Sequence, residues 1–318
     1  MDCFKTIGKN QDSSCIFYGT QNGFHIFKTD PFEQILQHKS KQCIKHMAML
    51  GKSNIIALVG DEINDKKDRL QPNKVTIWDE NIKAYIGDLF FCESVKAVQL
   101  KLNFVIVVLE YKIKIYNLQS LKQIETVETV SNPYGLCEIS FHSSDLMFAC
   151  LSSQAKNAID IYTFCFFGRK NVHIKAHKTN IILIAMCDDA SKIATASETG
   201  TIIRVFDVAK GTKLHELRRG INIVTISCLQ FDVKSHWVVC SSNKGTIHLF
   251  DISSSSSSSK SFLSSFLPFW LQQESSFAHY YIEDEIPCMI VFGKKKDSLL
   301  VICANVNSYN LSFFKFLI

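Results

Sequence analysis

A tetrapeptide pattern that recurs along the whole chain constrains the fold more than any other feature. It reads hydrophobic, polar, hydrophobic, aromatic, and alternation with a period of two predicts a strand that is buried on one face. The last occurrence departs from the pattern at its second and third positions. The seven occurrences are 24–27 (FHIF), 75–78 (VTIW), 113–116 (IKIY), 159–162 (IDIY), 203–206 (IRVF), 247–250 (IHLF) and 313–316 (FFKF).

The spacing of these tetrapeptides indicates a repeat architecture. They recur at intervals of about 38 to 66 residues, near the roughly 40 to 45 residues of a WD-type blade with insertions. Helical periodicity is nearly absent, and Asp79, Asn117, Asp207 and Asp251 follow four of the tetrapeptides. We therefore predict an all-β fold, a WD40-like seven-bladed β-propeller that occupies residues 1–318 as a single domain. A pair of β-sandwiches with coincidental tetrapeptides is the alternative, and the recurring interval argues against it.

Composition narrows the classes of function. The 12 cysteines are scattered without a C-x-x-C pair or a Cys/His cluster, so we expect no metal site, no cofactor and thiols that stay reduced. The chain opens without a signal-peptide core and has no apolar run of membrane-spanning length, which predicts a cytoplasmic protein with peripheral membrane contact at most. The formal net charge of +5 permits an acidic partner, and we expect no nucleic acid partner. Because no P-loop or nucleophile elbow is present, we expect a protein that is not an enzyme.

A long insertion follows the sixth tetrapeptide. Seven serines at 253–259 cannot bury apolar surface, and the uncharged apolar segment behind them places aromatic residues at helical spacing. We predict that residues 253–285 form a mobile apolar loop inserted in blade six. Two outcomes stay open for its apolar part, which either inserts into a bilayer interface, where Trp is favoured, or packs back onto the propeller. The residues expected to insert are Phe262, Leu263, Phe266, Leu267, Phe269, Trp270 and Leu271.

The candidate binding site centres on the dipeptide Arg218-Arg219, between Leu217 and Gly220. In extended backbone, neighbouring side chains point to opposite faces, so each guanidinium can serve a separate pocket. Guanidinium is permanently charged and suits bidentate contacts with phosphate. A solvated pair of surface arginines is the alternative. Hydroxyl, imidazole and further cationic donors on both sides favour a phosphate site: His177, Thr179, Thr195, Ser197, Thr201 and Arg204 before the pair, and Ser241, Ser242, Lys244, Thr246 and His248 after it.

Several segments match those of a known family. The most specific is LRRG at 217–220, and further segments are 10–12 (NQD), 22–27 (NGFHIF), 57–60 (ALVG), 72–79 (PNKVTIWD), 95–98 (VKAV), 107–110 (VVLE), 131–133 (SNP), 135–137 (GLC) and 275–278 (SSFA). With these motifs the chain resembles the PROPPINs, the phosphoinositide-binding β-propellers, and within them the WIPI-type autophagy branch. The resemblance covers nearly the whole chain, and LRRG is similar to the family's signature in a Leu form.

The resemblance implies binding of phosphatidylinositol 3-phosphate and phosphatidylinositol 3,5-bisphosphate at two sites, at a membrane surface. It also implies a role in autophagy and endosomal membrane traffic through recruited partner proteins. A lipid-transfer protein of autophagy is the expected partner, and the chain is expected to be a monomer on preautophagosomal and endosomal membranes. A WD-type protein–protein scaffold without lipid binding is the alternative. By motif position the first site comprises His177, Thr179, Thr195, Ser197, Thr201, Arg204 and Arg218, and the second comprises Arg219, Ser241, Ser242, Thr246 and His248. Gly220 is expected to keep the backbone of the binding region close and free of a side chain.

Overall fold

The structure is a computed structural model that describes residues 4–65, 67–141, 145–165, 168–253, 274–282, 288–293, 298–305 and 310–317. All regular elements in these ranges are β-strands. The described residues hold no helix of the length and apolarity that crossing a membrane requires. The chain divides into two compact units, which are Met1–Leu136 with Val291–Ile318, and Cys137–Ile290.

The first unit carries three antiparallel sheets in the form of propeller blades, each a meander of four consecutive strands. Blade one comprises β1 (Phe4–Lys9), β2 (Cys15–Thr20), β3 (Gly23–Thr29) and β4 (Phe32–Lys39). Blade two comprises β5 (Ile44–Met49), β6 (Ile55–Gly60), β7 (Lys74–Asp79) and β8 (Ala84–Phe90). Blade three comprises β9 (Ala97–Lys101), β10 (Phe104–Val108), β11 (Lys112–Asn117) and β12 (Gln123–Glu128).

The second unit carries three further blades. Blade four comprises β13 (Cys137–Ile139), β14 (Leu146–Leu151), β15 (Ala158–Cys165) and β16 (Gly168–Lys175). Blade five comprises β17 (Ile181–Met186), β18 (Lys192–Ser197), β19 (Ile202–Asp207) and β20 (Lys213–Arg218), with β24 (Glu274–Ser275) added parallel to β20. Blade six comprises β21 (Ile226–Phe231), β22 (Trp237–Ser242), β23 (Thr246–Asp251) and β25 (Ala278–Tyr281).

The remaining sheet has three strands, β26 (Cys288–Phe292), β27 (Ser298–Asn305) and β28 (Asn310–Leu317). The expectation of seven blades is therefore wrong, because the described residues form six blades of four or more strands and one three-stranded sheet. The reason lies in strand pairing. Strand β1 pairs with β2 inside blade one, and no fourth strand pairs with β26–β28 in the described ranges. The all-β class and the blade form are as expected.

The recurring tetrapeptide occupies the same place in every sheet, which is the third strand in chain order: β3, β7, β11, β15, β19, β23 and β28. Its two hydrophobic positions are buried in blades one to six, as Ile113 and Ile115 illustrate. The polar residue that follows the tetrapeptide closes a turn. For example, Asp207 Oδ1 accepts a hydrogen bond from Lys210 N at 2.8 Å, and Asn117 Oδ1 accepts one from Ser120 N at 2.8 Å. The pattern thus encodes both a strand and the turn that ends it.

The expectation that the thiols are reduced is wrong for two cysteines. Cys288 and Cys303 are disulfide-bonded. The described free cysteines are Cys15, Cys43, Cys92, Cys137, Cys150, Cys165, Cys187, Cys228 and Cys240.

The insertion expected at 253–285 is only partly described. Residues 254–273 lie outside the described ranges, and so do all seven residues expected to insert into a membrane. Beyond them, Glu274–Ser275 is β24 of blade five and Ala278–Tyr281 is β25 of blade six. The chain that returns from the insertion therefore pairs first with the strand that ends in Arg218 and then with β23.

Blades five and six pack through a shared hydrophobic cluster, and this packing defines the two faces of blade five. Leu217 of blade five lies in one cluster with Phe250 of blade six. Because side chains alternate along a strand, Arg204 and Glu216 lie on the opposite face. On that face Arg204 Nη1 donates a hydrogen bond to the carbonyl oxygen of Ala176 at 2.9 Å, in the connection from blade four. One face of blade five thus meets blade six, and the other meets the chain that arrives from blade four.

Candidate functional site

The arginine pair lies at the end of strand β20. Arg218 is the last residue of the strand, and Arg219 follows it directly. Since Arg218 is two residues after Glu216, it shares the face of blade five that meets the connection from blade four. Arg219 has the opposite parity, and its charge acts on Cys240 and His248 of blade six. The two guanidinium groups therefore belong to opposite faces of blade five.

Backbone carbonyl groups orient Arg219. Its Nε donates a hydrogen bond to Gly200 O at 3.0 Å, and its Nη2 donates one to Asn222 O. Its backbone N–H donates to Thr201 O at 3.0 Å. Burial lowers the pKa of Arg219 from its ordinary value. A guanidinium carries five N–H donors, so these two side-chain bonds fix the group and leave further donors for an anion.

A cross-strand row of three side chains forms the centre of the first candidate site. Thr195 of β18 lies opposite Arg204 of β19, which lies opposite Glu216 of β20. Arg204 Nε donates to Glu216 Oε2 at 2.9 Å, and Lys213 Nζ donates to the same oxygen at 2.8 Å. The Arg204 and Glu216 side chains are only 17% and 10% exposed. Because this ion pair is largely shielded, an anion that enters here competes with Glu216 for the Arg204 guanidinium.

His177 is packed into the same site. Its Nε2 lies 2.9 Å from Thr195 Oγ1 and 3.2 Å from Thr195 O, and Arg204 Nη1 lies 3.4 Å from its Nδ1. Burial, together with the charge of Arg204, lowers the pKa of His177 to about 4. The ring is therefore neutral near pH 7. Its Nδ1 accepts from the guanidinium and its Nε2 donates to Thr195, so His177 fixes the row rather than adding a second charge.

The other residues expected in the first site lie around this row. Ser197 is two residues after Thr195 on β18, hence on the same face, and its hydroxyl is 3.1 Å from that of Thr199. The carbonyl oxygen of Thr201 accepts hydrogen bonds from the backbone N–H groups of Arg219 and Gly220. Thr179 is half-buried. The structure thus places Thr195, Ser197, Arg204 and, by strand parity, Arg218 on one face of blade five.

Most of the second candidate site lies on blade six. On β22 and β23, the pair Cys240 and His248 lies on the face that carries Phe250, which is the face toward blade five. Ser242 and Thr246 follow the same parity, and their hydroxyl groups are 2.7 Å apart. These side chains therefore share a face with the residues on which the Arg219 charge acts.

Ser241 is the exception among the expected residues of the second site. Its neighbour Ser242 points toward blade five, so Ser241 points away from it. Its Oγ donates a hydrogen bond to Cys288 O at 2.6 Å and lies 2.9 Å from Ser227 Oγ. The structure does not bring Ser241 to the face of blade six that meets Arg219.

The electrostatics of the second site follow from burial beside a cation. Burial lowers the pKa of His248 to about 4, and the charges of Arg219 and His279 act in the same direction. Burial also raises the pKa of the Cys240 thiol to about 12, despite the nearby Arg219. Both groups are therefore neutral near pH 7, and Arg219 supplies the positive charge beside them.

Two features of the site are absent from the sequence-based expectation. Glu216 pairs with Arg204, and the rule that residues two apart in a strand share a face could have placed it beside Arg218. In the segment 220–223, directly after the arginine pair, Asn222 O accepts a hydrogen bond from Arg219 Nη2. No pattern in the sequence indicates that backbone contact.

An all-β fold of antiparallel four-stranded blades defines a β-propeller, and its arginine pair stands between polar side chains of blades five and six. The chain belongs to the PROPPIN family, whose family model matches residues 1–286.

Curated relatives agree with this assignment. The chain is similar to autophagy-related protein 18e of Arabidopsis thaliana, with 33% identity over 93% of this chain and 80% of the relative. It is similar to autophagy-related protein 18 of Dictyostelium discoideum, with 31% identity over 93% of this chain and 85% of the relative. Solved structures with the same fold include the following two. The crystal structure of Hsv2 from Kluyvelomyces marxianus has a TM-score of 0.77 at 20% identity, over 99% of this chain and 97% of that one. The complex of KlAtg21 with the coiled-coil of AgAtg16 has a TM-score of 0.73 at 23% identity, over 99% of both chains.

Proposed function

We propose that this protein is a peripheral membrane effector that binds phosphatidylinositol 3-phosphate and phosphatidylinositol 3,5-bisphosphate. It acts in autophagy and endosomal membrane traffic by recruiting partner proteins, and it is a binding protein rather than an enzyme. Membership of the PROPPIN family and relatives named as autophagy-related proteins support the cellular role.

The observation that carries the proposal is the division of Arg218 and Arg219 between the two faces of blade five. By strand alternation Arg218 shares its face of blade five with Thr195, Ser197 and Arg204, and the Arg219 charge acts on His248 of blade six. Phosphate groups on an inositol ring carry several acceptor oxygens, which match a cation with neutral donors around it. Neutral His177 orients the Arg204 guanidinium, and neutral His248 can donate a hydrogen bond, so neither adds a buried charge.

Two headgroup sites on one molecule produce avidity on a membrane. Once one headgroup is held, the second site meets a high local concentration of lipid, so each site can be weak on its own. Insertion of the apolar segment that contains Phe266, Phe269 and Trp270 would add to this avidity.

The proposal includes a protein partner. One structural relative was solved as the complex of KlAtg21 with the coiled-coil of AgAtg16, and that contact belongs to that protein. For the present chain we propose a partner of the autophagy machinery, with a lipid-transfer protein as the candidate. In this proposal the chain is a cytoplasmic monomer that binds peripherally to preautophagosomal and endosomal membranes.

Liposome flotation of Arg218→Ala/Arg219→Ala tests the proposal. We expect the wild type to float with vesicles that contain phosphatidylinositol 3-phosphate and the double variant to remain in the soluble fraction. A matched control is Arg169→Ala/Lys170→Ala, which removes two adjacent exposed cations from β16 and should float like the wild type. Equal flotation of the wild type and the Arg218/Arg219 variant would reject lipid binding through this site and favour a protein–protein scaffold.

A further inference from the structure

Two isoleucines stand directly beyond the arginine pair, and both are unusually exposed. Ile221 is 80% exposed and Ile223 is 76% exposed, which are the highest values among the large hydrophobic side chains of the described ranges. Single exposed hydrophobic residues are common on protein surfaces, but two of them one residue apart form a local apolar patch. The segment 221–223 is called the isoleucine tip below.

The isoleucine tip is held by a fixed base. At its start, the backbone N–H groups of Arg219 and Gly220 donate to Thr201 O at 3.0 and 3.4 Å. At its end, Val224 N donates to Thr199 O at 3.2 Å, and the Val224 side chain is buried in the cluster between blades five and six. Because both ends are bonded to the same turn of blade five, the exposed isoleucines project from an ordered base.

The turn beneath the tip has no room for a larger residue. Gly200 has a φ of +61°, and a Cβ atom placed there would lie 2.0 Å from Val224 O. The Arg219 side chain also holds the tip, because its Nη2 donates a hydrogen bond to the carbonyl oxygen of Asn222, which lies between the two isoleucines. The guanidinium expected to contact a headgroup is therefore bonded to the segment that presents the isoleucines.

The tip's own segment is cationic, which suits an anionic surface, and the turn to which it is bonded carries one exposed carboxylate, Glu198. Residues 217–231 contain two arginines and no carboxylate. Thr225 N donates to Asn243 Oδ1 at 3.1 Å, in the turn that carries the exposed Lys244. Apolar side chains flanked by cations are the composition that binds the headgroup and acyl boundary of an anionic bilayer.

We propose that Ile221 and Ile223 enter the interfacial region of an anionic bilayer beside the bound headgroups, as a membrane contact separate from the 262–271 segment. The inference rests on the proposed function, because lipid binding by Arg218 and Arg219 is what brings the tip to the bilayer. The isoleucine tip is then a short membrane anchor at a fixed position relative to the headgroup sites. Insertion of the tip and binding of the headgroups therefore strengthen each other.

The test compares Ile221→Ser/Ile223→Ser with the wild type on vesicles of phosphatidylcholine, phosphatidylserine and phosphatidylinositol 3-phosphate. We expect about tenfold weaker vesicle binding, because two aliphatic side chains no longer leave water. Titration with soluble inositol 1,3-bisphosphate should stay within about twofold of the wild type, since the arginines are intact. Ile63→Ser/Ile82→Ser is the matched control, since these isoleucines are 60% and 63% exposed and belong to blade two, and it should bind vesicles like the wild type.

A direct readout of insertion uses Ile221→Trp. On vesicles, the fluorescence of the introduced tryptophan should shift to the blue and be quenched by brominated lipid, in addition to any change of the native tryptophans. The control variant Ile82→Trp should show neither additional change. If Ile221→Ser/Ile223→Ser binds vesicles like the wild type while Arg218→Ala/Arg219→Ala does not, the tip is not a membrane contact and the proposed function stands. If the wild type binds neither vesicles nor soluble headgroup, the proposed function and the inference both fail.

Discussion

Arg204 and Glu216 lie opposite each other on β19 and β20, and the guanidinium Nε donates to the carboxylate Oε2 at 2.9 Å. The first candidate site therefore contains its own counter-charge. An anionic headgroup must compete with Glu216 for Arg204, or bind through the donors that Glu216 does not occupy. This arrangement keeps a shielded cation neutralised when the site is empty, at a cost in affinity for the ligand.

Replacing Glu216 by Gln should raise the affinity for a headgroup. The substitution removes a negative charge beside the first site and retains an acceptor for Arg204, so we expect about threefold tighter binding of inositol 1,3-bisphosphate by calorimetry. The free energy of unfolding should fall by about 1–2 kcal/mol, because the Arg204–Glu216 ion pair becomes a hydrogen bond from the cation to a neutral amide. Glu128→Gln on β12 removes an exposed carboxylate and is the control. Weaker binding by Glu216→Gln would show that Glu216 organises the site instead of opposing the ligand.

The buried histidines should make the free energy of unfolding depend on pH. Burial lowers the pKa of His46, His177 and His248 to about 4, so in the folded state they stay neutral well below their usual value near 6.5. Between these two values the unfolded chain binds more protons than the folded one. Stability is therefore lost as the pH falls from about 6.5 to about 4, and these groups contribute no slope above that window. Urea unfolding at a series of pH values measures this loss.

A single substitution isolates one of the three contributions. His177→Gln should remove about a third of the slope that His46, His177 and His248 contribute between pH 6.5 and 4, and a smaller share of the whole slope, because burial also lowers the pKa of His38. His236→Gln changes an exposed histidine and should leave the slope as in the wild type. A slope that His177→Gln leaves unchanged would contradict the assignment of a neutral, buried imidazole.

Gly200 should tolerate no side chain, because it lies beneath the isoleucine tip. Gly200→Ala combines a left-handed backbone with a Cβ that meets Val224 O, whereas Gly51→Ala has a similar φ of +53° and only Gln11 Oε1 nearby, at 3.9 Å. Both variants should lose about 1 kcal/mol for the backbone conformation. Gly200→Ala should lose a further 1–3 kcal/mol or so through the clash, and should also bind vesicles more weakly because Arg219 is bonded to Gly200 O. Equal melting temperatures for the two variants would contradict this close approach.

Much of the fold could be predicted because the tetrapeptide is a local signal. Alternation sets which side chains are buried in a strand, and each of the seven tetrapeptides lies in the third strand of a sheet. The number of complete blades could not be predicted in this way. Whether β26–β28 has a fourth strand depends on pairing with a distant segment, and the pattern within 313–316 carries no information about that partner. The disulfide bonds of Cys288 and Cys303 likewise depend on a contact that spacing does not encode.

In the candidate site, too, local strand alternation predicts part of the arrangement and distant contacts decide the rest. Strand parity predicts that Arg218 and Arg219 serve opposite faces, and the action of Arg219 on His248 agrees with it. The same parity separates Ser241 from Ser242, which a grouping by residue type alone places together. The exposure of Ile221 could not be predicted, because it depends on how residues 219–224 are bonded to the turn at Gly200.

In the proposed function, two adjacent arginines serve two separate headgroup sites. Isothermal titration with soluble inositol 1,3-bisphosphate tests it most directly on the wild type, Arg218→Ala, Arg219→Ala and the double variant. We expect two binding events in the wild type, one in each single variant and none in the double variant. A single binding event in the wild type, or the loss of all binding in either single variant, would contradict it.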